Sequence, residues 1–262
     1  MKPLAVALLA GAILAIAPLC ALGQPKEGTR DMLEKKTYTD ADGKTLPFRL
    51  LKPLNYNPKE KYPLVVFLHG AGERGDDNDK QLVHGVPEFL TPETRKDYPC
   101  FLIAPQCPDG KKWVEVDWGA ESHEQPKEPS EPMRLTLGLI DQMRKDYPID
   151  AKRIYVTGLS MGGYGTWDVI ARKPDLFAAA VPICGGADET TATKIVKISI
   201  WAFHGAQDPA VRVTRTRHMI AALKKGGGEP KYTEYPDEGH ASWVPAYKDA
   251  AMMKWLFAQK KE

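Results

Sequence analysis

Gly158-Leu159-Ser160-Met161-Gly162-Gly163 is the segment of this 262-residue sequence best suited to chemistry. A serine hydroxyl becomes a useful nucleophile only when a neighbouring base removes its proton. The G-x-S-x-G spacing supplies what such a serine needs. A sharp strand-to-helix turn projects Oγ above a sheet, and the residues two positions away must carry no bulk. The helix opening after Ser160 aims backbone N–H groups at the same spot, so the Met161 N–H is expected to receive an oxyanion. The chemistry implied is acyl transfer.

The base should be a histidine after the serine, with an acid between the two. His240, in Glu238-Gly239-His240, lies in a loop before the last helical pattern. His218 falls mid-helix and reads as a surface side chain; His204 precedes the best acid; His84 and His123 come before Ser160. That acid is Asp208, in His204-Gly205-Ala206-Gln207-Asp208-Pro209. It directly follows a buried strand, where ligand-facing groups of open α/β sheets gather. Asp237 is the rival, close to His240, but reads better as a turn former; Asp188 is a third choice. His69-Gly70-Ala71-Gly72 follows another buried strand, and the Ala71 N–H is the expected second oxyanion donor. Glu73, Gln106, Trp113, Trp118 and Trp243 are candidate substrate-binding residues, with core or lid packing as the competing reading of the tryptophans. No metal or organic cofactor is expected. Cys100, Cys107 and Cys184 are not spaced like a zinc site.

These residues need a sheet beneath them. Thr37-Tyr38-Thr39 and Phe48-Arg49-Leu50 flank Asp42-Gly43, a hairpin pattern whose glycine tolerates the positive φ of a tight turn. Unbroken apolar runs, suited to parallel strands covered on both faces, follow at Pro63–Leu68, Cys100–Ala104, Arg153–Thr157, Ala178–Ile183 and Ile198–Phe203. Helical spacing fills Met133–Tyr147, Gly162–Arg172, Arg212–Lys225 and Ala246–Ala258. The alternation predicts an α/β fold: a mostly parallel central sheet, helices on both faces, and an antiparallel N-terminal hairpin. Two polar stretches, Ala71–Thr94 and Gln106–Pro132, interrupt the rhythm. Loops of that length are usually functional, and the second is expected to set substrate preference.

Composition is ordinary for a globular chain, with 43% hydrophobic and 27% charged residues. The formal net charge of +2, with scattered Lys and Arg, argues against a nucleic-acid partner. The first residues differ. Lys2, an apolar run from Leu4 to Leu19 containing Pro18, and Ala21-Leu22-Gly23 read as a signal peptide over residues 1–23, cleaved before Gln24. The run is too short for a comfortable membrane span. A lipidated Cys20 is the alternative, with Leu19 in the place where a small residue is wanted. A secreted or periplasmic protein without a stable membrane anchor is expected, with residues 24–262 as one catalytic domain. Cleavage leaves three cysteines and at most one internal disulfide.

His69-Gly70-Ala71-Gly72-Glu73-Arg74-Gly75 with Asp76-Asp77-Asn78, then Ala104-Pro105-Gln106-Cys107-Pro108, then the segment around Ser160, resemble the α/β-hydrolase superfamily. Within it they resemble a bacterial group of secreted esterases, called phospholipase/carboxylesterase-like or predicted peptidases and related to feruloyl esterases and polyhydroxybutyrate depolymerases. The resemblance runs from about Thr37 onward. It implies a triad of Ser160, Asp208 and His240 and a serine esterase acting on small-molecule or polysaccharide-linked esters, such as acyl or feruloyl decorations. Unlike prolyl oligopeptidases, this sequence shows no propeller ahead of the hydrolase segment. Esters are therefore expected over peptides, with a peptidase of small peptides, or a non-catalytic carbohydrate- or partner-binding module, as alternatives.

Overall fold

The computed structural model describes residues 30–262, so the expected signal peptide lies outside the described residues. The chain forms β1 (Leu33–Thr39), β2 (Thr45–Leu51), β3 (Tyr62–Leu68), α1 (Val86–Phe89), α2 (Pro92–Asp97) and β4 (Phe101–Pro105). It continues through α3 (Glu131–Asp146), β5 (Ile149–Leu159), α4 (Met161–Arg172), β6 (Ala179–Ile183) and β7 (Ser199–Gly205). Then come α5 (Thr214–Lys225), β8 (Lys231–Tyr235), α6 (Trp243–Lys248) and α7 (Ala250–Ala258).

The strands make one eight-stranded sheet in the order β1-β2-β4-β3-β5-β6-β7-β8. β1 pairs antiparallel with β2, and β2 antiparallel with β4; every later pairing is parallel. The expected hairpin is present, with Thr39 opposite Thr45 and Gly43 at φ 77° in its turn. The five apolar runs became β3 to β7 because they are covered on both sides. Leu64, Val66 and Leu68 of β3 pack with α3, α4 and α5 in one core, while Val65 and Phe67 pack with α1, α6 and α7 in the other. Fully burying each such side chain is worth roughly 1.5–3 kcal/mol.

Three differences from the sequence pattern bear on the site. β8 follows no apolar run; it is an edge strand with no fully buried residue. The expected final helix Ala246–Ala258 is two helices. Asp249 separates them and caps the second, its side chain accepting the Ala251 N–H at 2.8 Å. The polar stretch after β3 contains 3-10 turns at Ala71–Glu73 and Lys80–Leu82 besides α1 and the start of α2. By contrast, residues 106–130 carry no helix or strand. They are nonetheless tied down. Tyr164 OH donates to Trp118 O at 3.1 Å, Arg215 donates to Ala120 O at 2.9 Å, and the Gln125 N–H donates to Asp188 at 2.8 Å. Arg215, fully buried, also reaches His123 Nδ1 and Ala187 O, so one cation staples this loop to the loop after β6.

Candidate active site

Ser160 stands between β5 and α4, at the carboxyl end of a central strand. Its backbone sits at φ 53°, ψ −118°, a strained conformation for a residue with a side chain. The strain is held by the surroundings. The Ser160 N–H donates to Ile183 O at 3.0 Å and to Cys184 Sγ at 3.3 Å, and α4 presses against the end of β3. A Cβ on Gly162 would fall 1.9 Å from Leu68 O, so only glycine permits this approach. The Met161 N–H opens α4 and the Ala71 N–H opens the 3-10 turn beyond β3. Neither has a backbone acceptor among the described residues, so both are free to donate to a substrate oxygen.

Ser160, His240 and Asp208 come together from three separate connections. Ser160 Oγ lies 2.9 Å from His240 Nε2, and His240 Nδ1 lies 2.8 Å from Asp208 Oδ2. An ionised Asp208 can only accept, so Nδ1 carries a hydrogen and Nε2 is left to take one from the serine. Asp208 Oδ1 accepts the N–H groups of Ala210 (2.8 Å) and Val211 (2.9 Å). Burial alone would raise the Asp208 carboxyl; donors from His204, His240 and Val211 outweigh it and hold the group well below the usual carboxylate range. The loops bearing acid and base are joined directly. The Gln207 N–H donates to Glu238 O at 3.0 Å, and the Ala206 N–H to Tyr235 O at 2.9 Å. Asp237 is an exposed turn residue, and Asp188 caps a 3-10 turn through the Thr190 N–H.

Two residues near the triad were not singled out from sequence. His204 is fully buried, and its Nε2 faces Asp208 Oδ2 (3.2 Å) and Val211 O (3.0 Å). Both are acceptors, so Nε2 bears the hydrogen, and Asp208 Oδ2 holds two imidazoles at once. Nδ1 is 2.8 Å from Thr216 Oγ1, which fixes the ring from the other side. Cys184 is the second. Its Sγ, a ring nitrogen of His240 and a carboxylate oxygen of Asp208 all lie within 4.8 Å of one another. Burial pushes its thiol far up, and it remains a neutral packing group. The only sequence hint was His204 four residues before Asp208, a spacing that means nothing until the loop after β7 turns back.

The candidate binding residues divide. Gln106 is completely buried and its amide is used internally: Oε1 accepts the Asn78 N–H at 2.6 Å and Nε2 donates to Asp77 and to Glu73 O. Trp113 is also completely buried, donating from Nε1 to His69 O at 3.0 Å. Both side chains thus brace the turn after β3. Trp118 is half-buried beneath Lys112 Nζ, 4.7 Å from its ring centroid. Trp243 packs edge-on against His240 with ring centroids 5.3 Å apart, and Glu73 lies beside the Ser160 turn. Cys100, Cys107 and Cys184 are free and buried.

A mostly parallel sheet that delivers a serine at a strained strand-to-helix turn, with histidine and carboxylate at neighbouring strand ends, defines the α/β-hydrolase class. The chain belongs to the dienelactone hydrolase family, whose model matches residues 125–255. It is similar to a thermostable esterase of known crystal structure, with TM-score 0.83 and 41% identity over 90% of this chain and 65% of that one. It is 39% identical over 83 residues to the bifunctional acetylxylan esterase/xylanase XynS20E of Neocallimastix patriciarum, a match covering 31% of this chain and 12% of that protein. It is 48% identical over 48 residues to poly(3-hydroxyalkanoate) depolymerase C of Paucimonas lemoignei, covering 18% of this chain and 12% of that protein. The chain thus spans only a small part of these two curated relatives. No helix among the described residues is long and apolar enough to cross a membrane.

Proposed function

We propose that this protein is a serine esterase that cleaves carboxylic esters through an acyl-enzyme on Ser160. The observation that carries the reading is the continuous run of hydrogen bonds Ser160 Oγ to His240 to Asp208, at 2.9 and 2.8 Å. His240 Nε2 takes the hydroxyl proton as Oγ attacks the ester carbonyl. Asp208 keeps the imidazole in the required tautomer and stabilises its positive form. The N–H groups of Ala71 and Met161 receive the developing oxyanion. His240 then hands its proton to the leaving alkoxide, and a water repeats the cycle on the acyl group.

An ester is preferred to an amide because an alkoxide leaves without the demanding nitrogen protonation that peptide cleavage requires. The likeness to an acetylxylan esterase and a polyester depolymerase supports the same choice. Polysaccharide-linked or small acyl esters met outside the cytoplasm are the substrates of this reading. Its export would leave Gln24 as first residue, which N-terminal sequencing of the secreted protein checks. The enzymatic test is Ser160→Ala with a fluorophosphonate probe. Labelling and ester turnover should both vanish, turnover by about 10⁴-fold or more. Substantial residual turnover, or faster cleavage of matched peptides by the parent, contradicts the reading.

A further inference from the structure

Cys184 stands beside the triad without a part in acyl transfer. It follows β6, at the same carboxyl edge of the sheet that delivers Ser160, Asp208 and His240. The cysteines form no zinc pattern along the sequence; the fold instead brings one of them to a histidine and a carboxylate from other strand ends. Cys184 Sγ, a ring nitrogen of His240 and a carboxylate oxygen of Asp208 lie within 4.8 Å of one another. The sulfur already accepts the Ser160 N–H at 3.3 Å. Ser242 also adjoins the thiol. It is fully buried, and its Oγ has no hydrogen-bond partner among the described residues. A buried hydroxyl left unpaired is a cost to folding. A thiolate in place of the thiol would accept its hydrogen.

Thiolate sulfur, imidazole nitrogen and carboxylate oxygen are the ligands of zinc, at about 2.3, 2.0 and 2.1 Å. Two such ligands on a tetrahedral ion stand about 3–4 Å apart, so these three atoms need only close in by about 1 Å. The charges also fit. Thiolate and carboxylate carry one negative charge each and the imidazole none, so a divalent cation makes a neutral unit that can be buried. Magnesium and calcium favour all-oxygen sites, whereas a thiolate selects a softer ion. The carboxylate is itself held in place. Asp208 is met by His204 Nε2 at 3.2 Å and by the N–H groups of Ala210 and Val211, the kind of outer support that tightens metal sites.

We propose that Cys184, His240 and Asp208 form an inhibitory site for a thiophilic divalent cation, Zn²⁺ first among them. Its consequence for turnover rests on the esterase reading of Ser160; the binding itself does not. The ion displaces the thiol hydrogen, which leaves to solvent as a proton, and no electron is exchanged. The Ser242 hydroxyl then donates to the bound sulfur. The imidazole binds as a neutral ligand through one nitrogen. Bound through Nδ1, it carries its hydrogen on Nε2; bound through Nε2, it has no lone pair left there. Either way Ser160 loses its base, and acyl transfer stops before the first bond forms. Removing the ion restores the thiol and the tautomer that Asp208 imposes. Such a site turns hydrolysis off reversibly wherever the ion is abundant.

Equilibrium dialysis of the chelator-treated protein against Zn²⁺ should give one ion per chain with Kd on the order of micromolar. Cys184→Ser and Cys184→Ala, each shown folded by its thermal melt, should bind about tenfold more weakly or worse. Cys100→Ala, which removes a buried thiol just before β4, should keep the parent's affinity. Co²⁺ in place of Zn²⁺ should add a thiolate-to-metal charge-transfer band in the near ultraviolet that Cys184→Ala lacks, a signature that altered packing does not produce. Turnover of an aryl acetate is then measured, each protein referred to its own metal-free rate. At a Zn²⁺ concentration of about ten times Kd the parent should slow about tenfold and recover on chelation, while both Cys184 variants resist. Undiminished affinity and inhibition in both folded variants overturn the site, as does an absence of binding by the parent at about 1 mM Zn²⁺. A metal-free parent that hydrolyses no ester refutes the esterase reading instead, and the dialysis and the cobalt band then decide the site.

Discussion

His69 makes the loop after β3 sensitive to acid. Its ring is completely buried; Nδ1–H donates to Gly70 O at 2.6 Å, and Nε2 accepts the Cys107 N–H at 2.9 Å. A second proton would meet that N–H head-on. Burial holds the imidazole down at about 4, with the Arg74 charge acting the same way and the Gly70 carbonyl opposing. In the unfolded chain a histidine titrates near 6.5. Between those values the unfolded chain binds a proton that the folded one does not, so stability falls as pH falls. Integrating the two titrations gives a loss of about 2 kcal/mol between pH 7 and pH 5, levelling off below pH 4 at about 3 kcal/mol. Urea unfolding of the parent and His69→Gln at pH 7, 6 and 5 measures it. The glutamine amide can reproduce both hydrogen bonds but does not titrate. His123, also held at about 4 by burial and by Arg215, titrates in both proteins and cancels. The parent should lose about 2 kcal/mol more than the variant over this range. Losses that agree within about 0.5 kcal/mol would refute the assignment of a neutral, buried His69.

Asp208→Asn should lower ester kcat by about 10⁴-fold by imposing the wrong tautomer on His240, while Asp237→Asn stays near the parent; equal losses in a steady-state assay would overturn the choice of acid. His204 is a positioning residue, and His204→Leu removes one of the donors that hold Asp208, a change on the order of 1.5–3 kcal/mol or about tenfold or more in kcat, with little change in KM. His204→Gln, which can still donate to Asp208, should recover much of that loss, and a KM effect or no recovery would show a merely structural role.

How much could be read from the sequence depended on whether a residue's surroundings are local. Val65, Val66 and Phe67 announce β3 because both faces of that strand are buried, leaving an uninterrupted apolar run. Ser160, Asp208 and His240 were legible because each occupies a strand-end position with a fixed chain order, and the fold draws them within hydrogen-bond reach. Lys231-Tyr232-Thr233-Glu234-Tyr235 was missed because an edge strand buries nothing completely and offers no such run. The bracing contacts of Gln106 and Trp113 were not legible for a different reason. Both follow β4 in a polar stretch, yet their partners, Asn78 and His69, come from the β3 side of the sheet, a pairing that no local pattern records.

The direct hydrogen bonds between the Asp208 loop after β7 and the His240 loop after β8 have a consequence for how the protein would lose activity. His240 follows the edge strand β8 and Asp208 the neighbouring strand β7, and their joined loops form one mechanical unit, whereas Ser160 is anchored at the centre of the sheet. Edge strands open at lower free energy than central ones. Mild denaturant should therefore withdraw histidine and aspartate together and strand an unactivated serine on an intact core. Inactivation would then precede unfolding, and the midpoint of activity loss would fall at a lower urea concentration than the midpoint reported by the buried Trp113. Coincident midpoints would show that the edge and the core give way as one.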